Sequence, residues 1–192
     1  MTENREGGRA ALIRATVELL AESGPTAITY RSVARRAGVT HGLVRHHFQS
    51  LDALVRAAVA QWGADSPQAT GLDSGTGRLA DLGQRLIEDV RQRGLEHLAM
   101  YELIMGAART GFLAEEVRQS YEGYVEAVGR ALARAGLEDD ENRSLARLVF
   151  AALDGLVVQS LVWDDPGALD RPLEVLHDLL ESLERGASPS PT

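Results

Sequence analysis

Thr29 to Phe48 reads TYRSVARRAGVTHGLVRHHF. Val33, Ala34 and Ala37 recur at helical spacing after Thr29, whose hydroxyl suits an N-cap. Gly38 can take the left-handed backbone that closes a helix in a tight turn. Val39 then fills the angle between two helices, Ala34 is small enough to let them cross closely, and Thr40 caps a second short helix over residues 41–47. This is the spacing of a helix-turn-helix. The second helix presents Thr40, His41, Gly42, Leu43, Arg45, His46 and His47, a largely hydrogen-bonding surface suited to a major groove and its phosphates. Thr29, Tyr30 and Arg31, at the start of the first helix, complete the expected DNA-contact set. Val33, Ala34, Val39, Val44 and Phe48 are apolar and read as core or hinge.

Outward from this stretch, strand signals are nearly absent and helical periodicity recurs. Leu12, Ala15, Thr16, Leu19 and Leu20 mark a first helix over 9–23, ended by Gly24-Pro25. Ser50 caps a fourth, with Leu51, Leu54, Val55, Ala58 and Trp62 on one side. Gly63 to Gly77, GADSPQATGLDSGTG, reads as a linker. Five more helices are expected over 78–93, 95–108, 112–135, 140–163 and 171–184. The resulting division is a DNA-binding domain over 1–50, a connecting helix and linker over 51–77, a second helical domain over 78–185 and a disordered tail over 186–192.

The 192 residues suffice for a sizeable core, and 44% hydrophobic with 25% charged residues is ordinary for a globular protein. With no cysteine there is neither a disulfide framework nor a thiolate metal site. No apolar run is expected to span a membrane, and the polar MTENREGGRAA opening lacks a signal-peptide core, which together favour the cytoplasm. The net charge of −8 is unevenly spread. Residues 1–63 hold eight Arg against five acids, a net of +3, and the remainder twelve Arg against 23 acids, a net of −11. A basic head on an acidic body suits a DNA-binding domain attached to something else. All 20 basic residues are Arg, so strong phosphate contacts fall to Arg, His, hydroxyls and backbone N–H groups.

Between Ala11 and Val59 the chain resembles the N-terminal domain of TetR-family regulators. The family pattern is a helix ending in Gly, then Thr–x–x–x–[Val/Ile]–Ala–x–x–Ala–Gly–Val–[Ser/Thr], then a short helix closing on an aromatic. It falls here on Gly24, Thr29, Val33, Ala34, Ala37, Gly38, Val39, Thr40 and Phe48. The stretch LDGLVVQSLVWDDP, from Leu153 to Pro166, also looks like the penultimate helix of many members. Two positions depart from the pattern: Arg45 stands where a phosphate-touching Tyr is common, and Leu51 where a Lys is common. Arg45 can replace that contact or read a guanine; Leu51 cannot. The resemblance implies an all-α fold with an N-terminal three-helix helix-turn-helix domain, joined by a fourth helix to a C-terminal ligand-binding and dimerisation domain. It also implies a homodimer on a double-stranded DNA operator and a small-molecule effector, with no cofactor.

In the second domain, LEHLAMYELIMGAA over 95–108 is apolar on nearly every side and is expected to be buried all round. Glu102 within it either reaches solvent, pairs with an Arg such as Arg109, or faces a cavity. The family pocket among helices five to eight has Tyr101, Glu102, Met105, Phe112, Tyr121, Tyr124, Phe150 and Asp154 as candidate lining, against core packing as the plain alternative. Helix 140–163 carries two apolar stripes, Leu145, Leu148, Val149, Ala152, Leu156 and Trp163 on one and Phe150, Leu153, Val157 and Leu161 on the other. An outer helix of a monomer needs one stripe, so the doubling supports a dimer. The resemblance places Leu145, Leu148, Ala152, Leu156 and Trp163 in a four-helix interface with Leu173, Leu176, Leu179, Leu180 and Leu183 of the last helix.

Other function classes find less support. No Ser/His/Asp order, phosphate-cradling Gly loop or metal-ligand cluster stands out, so neither an enzyme nor a metal site is expected. His46 and His47 are adjacent on a helix and face different ways. A ligand-blind or activating regulator of the same fold stays open, as does a helical interaction module without DNA binding.

Overall fold

The computed structural model describes residues 3–69, 71–72, 78–137, 140, 143–163, 167 and 169–187. Eight α-helices occur among the described residues, and no strand: α1 (Glu3–Ser23), α2 (Tyr30–Arg36), α3 (His41–His47), α4 (Leu51–Ala69), α5 (Gln84–Thr110), α6 (Ala114–Arg134), α7 (Ser144–Val162) and α8 (Asp170–Ala187). Short 3-10 turns lie at Pro25–Ala27 and Leu79–Asp81. The expected helices 78–93 and 95–108 are a single α5, whose backbone leaves helical geometry only at Arg93 (φ −126°, ψ 31°). The signal read at Gly94 therefore marks a kink, after which the helix resumes. Helix α4 likewise runs to Ala69, into the expected linker. Gly63 does not break it. A Cβ on Gly63 would come within 1.9 Å of the Ser120 Oγ, so this glycine permits a close helix approach.

The chain forms two compact units, Met1–Ala64 with Arg93–Ser120, and Asp65–Gln92 with Tyr121–Thr192. In the first, local capping sets the helix starts. The Thr29 hydroxyl accepts from the Ser32 backbone N–H at 3.0 Å, and the Ser32 hydroxyl accepts from the Thr29 N–H at 2.9 Å, a reciprocal capping box. Gly38 takes φ +67°, and the Val39 N–H returns to the Ala34 carbonyl at 2.9 Å. The Ser50 hydroxyl accepts from the Ala53 N–H at 3.0 Å, capping α4. These helices close on one core of Leu12, Leu20, Val33, Val44, Phe48 and Leu54, to which α5 adds Ala99, Met100 and Leu103. Leu51 packs against that core, which accounts for an apolar residue at this position. The expectation that residues 95–108 are buried all round is corrected: Leu95, Leu98 and Met105 are exposed, while His97, Ala99, Met100, Leu103 and Ala107 are covered. Near the kink, Arg93 stacks over the half-buried Trp62 ring at 4.6 Å, while buried His97 meets Trp62 edge-on at 5.3 Å.

In the second unit the buried side chains include Leu82, Leu86, Ile87, Val128, Leu132, Phe150, Leu153, Val157, Leu173 and Leu180. Buried His177 of α8 lies 2.8 Å through its Nε2 from the Leu82 carbonyl oxygen. By length and composition alone α7 could cross a membrane, contrary to the sequence expectation, because its Arg147 and Asp154 are too few to interrupt the apolar run. Its Ala146, Val149, Phe150, Leu153 and Val157 are instead covered by this unit.

Gly83 locks the entry to α5. It has φ +80°, and a Cβ there would lie 2.7 Å from Leu153 Cδ2 and 3.3 Å from Leu173 Cδ1. Gly136 has the same φ with no neighbour within 4 Å of such a Cβ. Gly136→Ala is expected to lose only the backbone contribution of roughly 1 kcal/mol, and Gly83→Ala a further ~1–3 kcal/mol for overpacking. Urea unfolding checks this; equal losses for the two variants would mean that Leu153 and Leu173 move aside.

Candidate functional site

The surface of α3 is divided by burial. Val44 is buried beneath the helix, Leu43 and His47 are half-buried, and His41, Gly42, Arg45 and His46 are exposed. Thr40 occupies the N-cap position, yet its hydroxyl makes no capping hydrogen bond and stays on the exposed face. That face combines a hydroxyl, two imidazoles and a guanidinium at the start and middle of a short helix, a donor-rich arrangement fit for base edges and phosphates. Arg45 lies over the Tyr30 ring of α2, with its Cζ 5.1 Å from the ring centroid, and His41 meets the same ring edge-on at 5.4 Å. His47 packs under α1, its ring nitrogen 3.0 Å from where a Gly8 Cβ would stand.

The arginines of this head fall into two groups. Arg36 joins Glu18 at 3.1 Å and also hydrogen-bonds Glu22, tying α2 to α1. Its hydrogen bond holds the Glu22 carboxyl below the ordinary range, and the two carboxylates raise the Arg36 guanidinium in turn. Arg56 of α4 makes a two-pronged contact with Glu116, at 2.8 Å to each oxygen, and lies over Phe112 at 4.7 Å. Arg31, Arg35 and Arg45 are exposed on α2 and α3.

In the second unit, α6 and α7 bring three rings and a carboxylate together. Tyr124 stacks on Phe150 with centroids 5.0 Å apart and an 11° interplanar angle, and Tyr121 meets Phe150 edge-on at 5.5 Å. The Tyr121 hydroxyl donates to the Asp154 carboxylate at 3.3 Å. Burial, then the Asp154 charge and hydrogen bond, push the Tyr121 phenol up to about 12. Ring faces beside a carboxylate suit a flat or cationic guest.

Residues 12–58 match the family described as bacterial regulatory proteins of the tetR family, and residues 74–185 match the tetracyclin repressor-like C-terminal domain, which alone covers more than half of the chain. The chain belongs to the TetR family. That family is one of bacterial regulatory proteins. Over 63 residues, 33% of this chain, it is 43% identical to an HTH-type transcriptional repressor of Mycobacterium tuberculosis. That match spans 34% of the relative's own length. A transcriptional regulator from Rhodococcus sp. Rha1 has the same fold, with a TM-score of 0.72 at 24% identity, covering 95% of this chain and 99% of that one. The multidrug binding protein EbrR in its complex with proflavin superposes with a TM-score of 0.57 at 27% identity, covering 90% of this chain and 99% of that one.

The expected contact residues of this TetR-family regulator divide by place. Thr29, Tyr30, Arg31, Thr40, His41, Gly42, Leu43, Arg45, His46 and His47 all lie on α2, α3 and their caps, with Thr29 engaged in its capping box and His47 turned toward α1. Of the expected pocket residues, Tyr121, Tyr124, Phe150 and Asp154 cluster in the second unit. Tyr101, Glu102, Met105 and Phe112 belong to the first unit, where Phe112 packs on its core and under Arg56. Of the expected interface, Leu148, Ala152, Trp163 and Leu183 are exposed and Leu145, Leu156 and Leu176 half-buried. Leu173 and Leu180 are each only 2% exposed and fill the protomer's own core. Leu179, read from the sequence on the last helix, is exposed as well; sequence reading missed Val158, Val162 and Val175, which complete the exposed apolar face of α7 and α8. The signal was present as a second leucine-valine stripe, but periodicity does not say which stripe faces inward.

Tyr121 is expected to ionise late, at a pH near 12 against about 10 for an ordinary phenol. Because the folded state favours the neutral ring, its contribution to stability is complete below about pH 10 and is lost as pH rises toward 12. Ultraviolet titration of tyrosinate should show a late step that Tyr121→Phe removes and Asp154→Asn brings to lower pH only in part, since burial is the larger cause. A late step unchanged in Tyr121→Phe would assign it to another ring.

Proposed function

We propose that this regulator is a homodimeric repressor that docks α3 of each protomer into a two-fold symmetric operator and is released by a small molecule bound near Tyr121, Tyr124, Phe150 and Asp154. The observation that carries the reading is the exposed face of α3, which presents Thr40, His41, Arg45 and His46 to solvent. The repressor role is supported by the similarity of the DNA-binding segment to the mycobacterial repressor. Work in the cytoplasm follows from binding bacterial DNA. The stacked Tyr124–Phe150 pair with Asp154 alongside fits a flat cation, and proflavin, the guest in the EbrR complex, is a molecule of that kind. Release requires a guest that prefers one separation of the two heads over the other.

Selection of duplexes from a random pool should return an inverted repeat with half-sites roughly 34–36 Å apart, or somewhat more where each head contacts its half-site off-centre. Proflavin at saturation should then weaken operator affinity by about 5- to 150-fold in a fluorescence anisotropy titration. Proflavin bound with operator affinity unchanged would break the proposed coupling, and an enriched site without symmetry would break the dimeric docking.

The dimer is proposed to form through α7 and α8, where Leu148 is 68% exposed and Leu179 is 59% exposed. An interface built on this face should bury about 2,000 Å² or more. Both side chains lie outside the protomer's core, so Leu148→Arg and Leu179→Glu should give folded monomers by sedimentation velocity. A wild type that is monomeric at micromolar concentration would break the dimeric reading, and variants that stay dimeric would place the interface elsewhere.

A further inference from the structure

Arg45 is held differently from Arg36 and Arg56 of the head; Arg9 of α1 also lies over a ring, that of Phe48, with its Cζ 5.2 Å from the centroid. Arg36 and Arg56 hydrogen-bond to carboxylates, which occupy their N–H donors and offset their charge. Arg45 instead rests on the face of Tyr30, with its Cζ 5.1 Å from the ring centroid. A ring face restrains a guanidinium through its flat side and leaves the N–H donors along its edge available. Those donors are what a bidentate contact to guanine O6 and N7 requires.

The ring is itself fixed. Tyr30 is the first residue of α2, immediately after the Thr29 N-cap, and the Thr29–Ser32 capping box sets the backbone at that point. Tyr30 is half-buried and packs against the core of the first unit. His41 and Arg45 are four residues apart on α3 and so lie on one face of it. Both reach the same ring, His41 at its edge with a 79° interplanar angle and Arg45 over its face. A long exposed arginine otherwise loses rotamer freedom on binding, and a side chain already restrained loses less.

We propose that Tyr30 is a specificity-setting platform: its ring pre-orients Arg45, and with it His41, so that Arg45 reads a guanine in each half-site. Tyr30 is a positioning residue in this role, acting through Arg45. The inference rests on α3 being the reading helix and adds how the reader is held.

The test is selection from a random duplex pool with the full chain, comparing wild type, Tyr30→Phe, Tyr30→Leu and Arg45→Ala. Leucine keeps an apolar side chain against the core but removes the ring face, and phenylalanine keeps the face without the hydroxyl. Wild type and Tyr30→Phe should enrich the same site with one guanine per half-site that Arg45→Ala no longer selects. Tyr30→Leu should lose preference at that base pair by about fivefold or more, with the other positions and the salt dependence of binding retained. A merely structural role would lower affinity for all sequences alike and leave the base preference intact. Wild-type-like preference at every position in Tyr30→Leu overturns this proposal alone, as does an Arg45→Ala variant with an unchanged site. A wild type that enriches no site overturns it together with the operator reading.

Discussion

The hydrogen bond from the Val39 N–H to the Ala34 carbonyl, across a left-handed Gly38, fixes where α3 can point. A side chain at position 38 would cost roughly 1–2 kcal/mol in that conformation, so the turn depends on glycine. Val39 then packs against the core while Thr40 starts α3 with Val44 facing inward. With that register set, His41, Arg45 and His46 face outward together, and Tyr30 stands within reach of two of them. The proposed reading surface is thus the outer side of a helix whose inner side is committed to the core.

The charges of the head follow from the same geometry. A chain whose cations are all arginine must both brace its helices and meet DNA with one side-chain type. Burial and partner choice separate the two uses. Where carboxylates of α1 or α6 are close, as for Arg36 and Arg56, the guanidinium braces one helix against another. Where the partner is a ring face, as for Arg45, the charge is not offset by a carboxylate among the described residues.

How much of this was legible in the sequence depended on whether the signal was local. The capping box at Thr29, the turn at Gly38 and the cap at Ser50 are each written within a few residues, and the helices they bound could be read from the chain. The readings that needed correction concern distant partners. Gly63 resembles a break until Ser120 is placed beside it, and Gly94 resembles a helix end where the chain only kinks at Arg93. Leu173 and Leu180 share a helix with Leu179 and Leu183, and nothing in their spacing tells which pair meets the protomer's own core. Arg45 was readable as a candidate contact, but its seat on Tyr30 joins residues fifteen positions apart and required the fold.

The two tryptophans sit in contrasting surroundings, one in each compact unit. Trp62 is half-buried between the Arg93 guanidinium and the His97 imidazole, beside the kink of α5, whereas Trp163 ends α7 largely in water. Indole emission follows the polarity around the ring, so the molecule carries two intrinsic optical labels of different colour. The bluer one reports on the packing of the first unit beside the kink of α5, and the redder one on whatever comes to cover the end of α7.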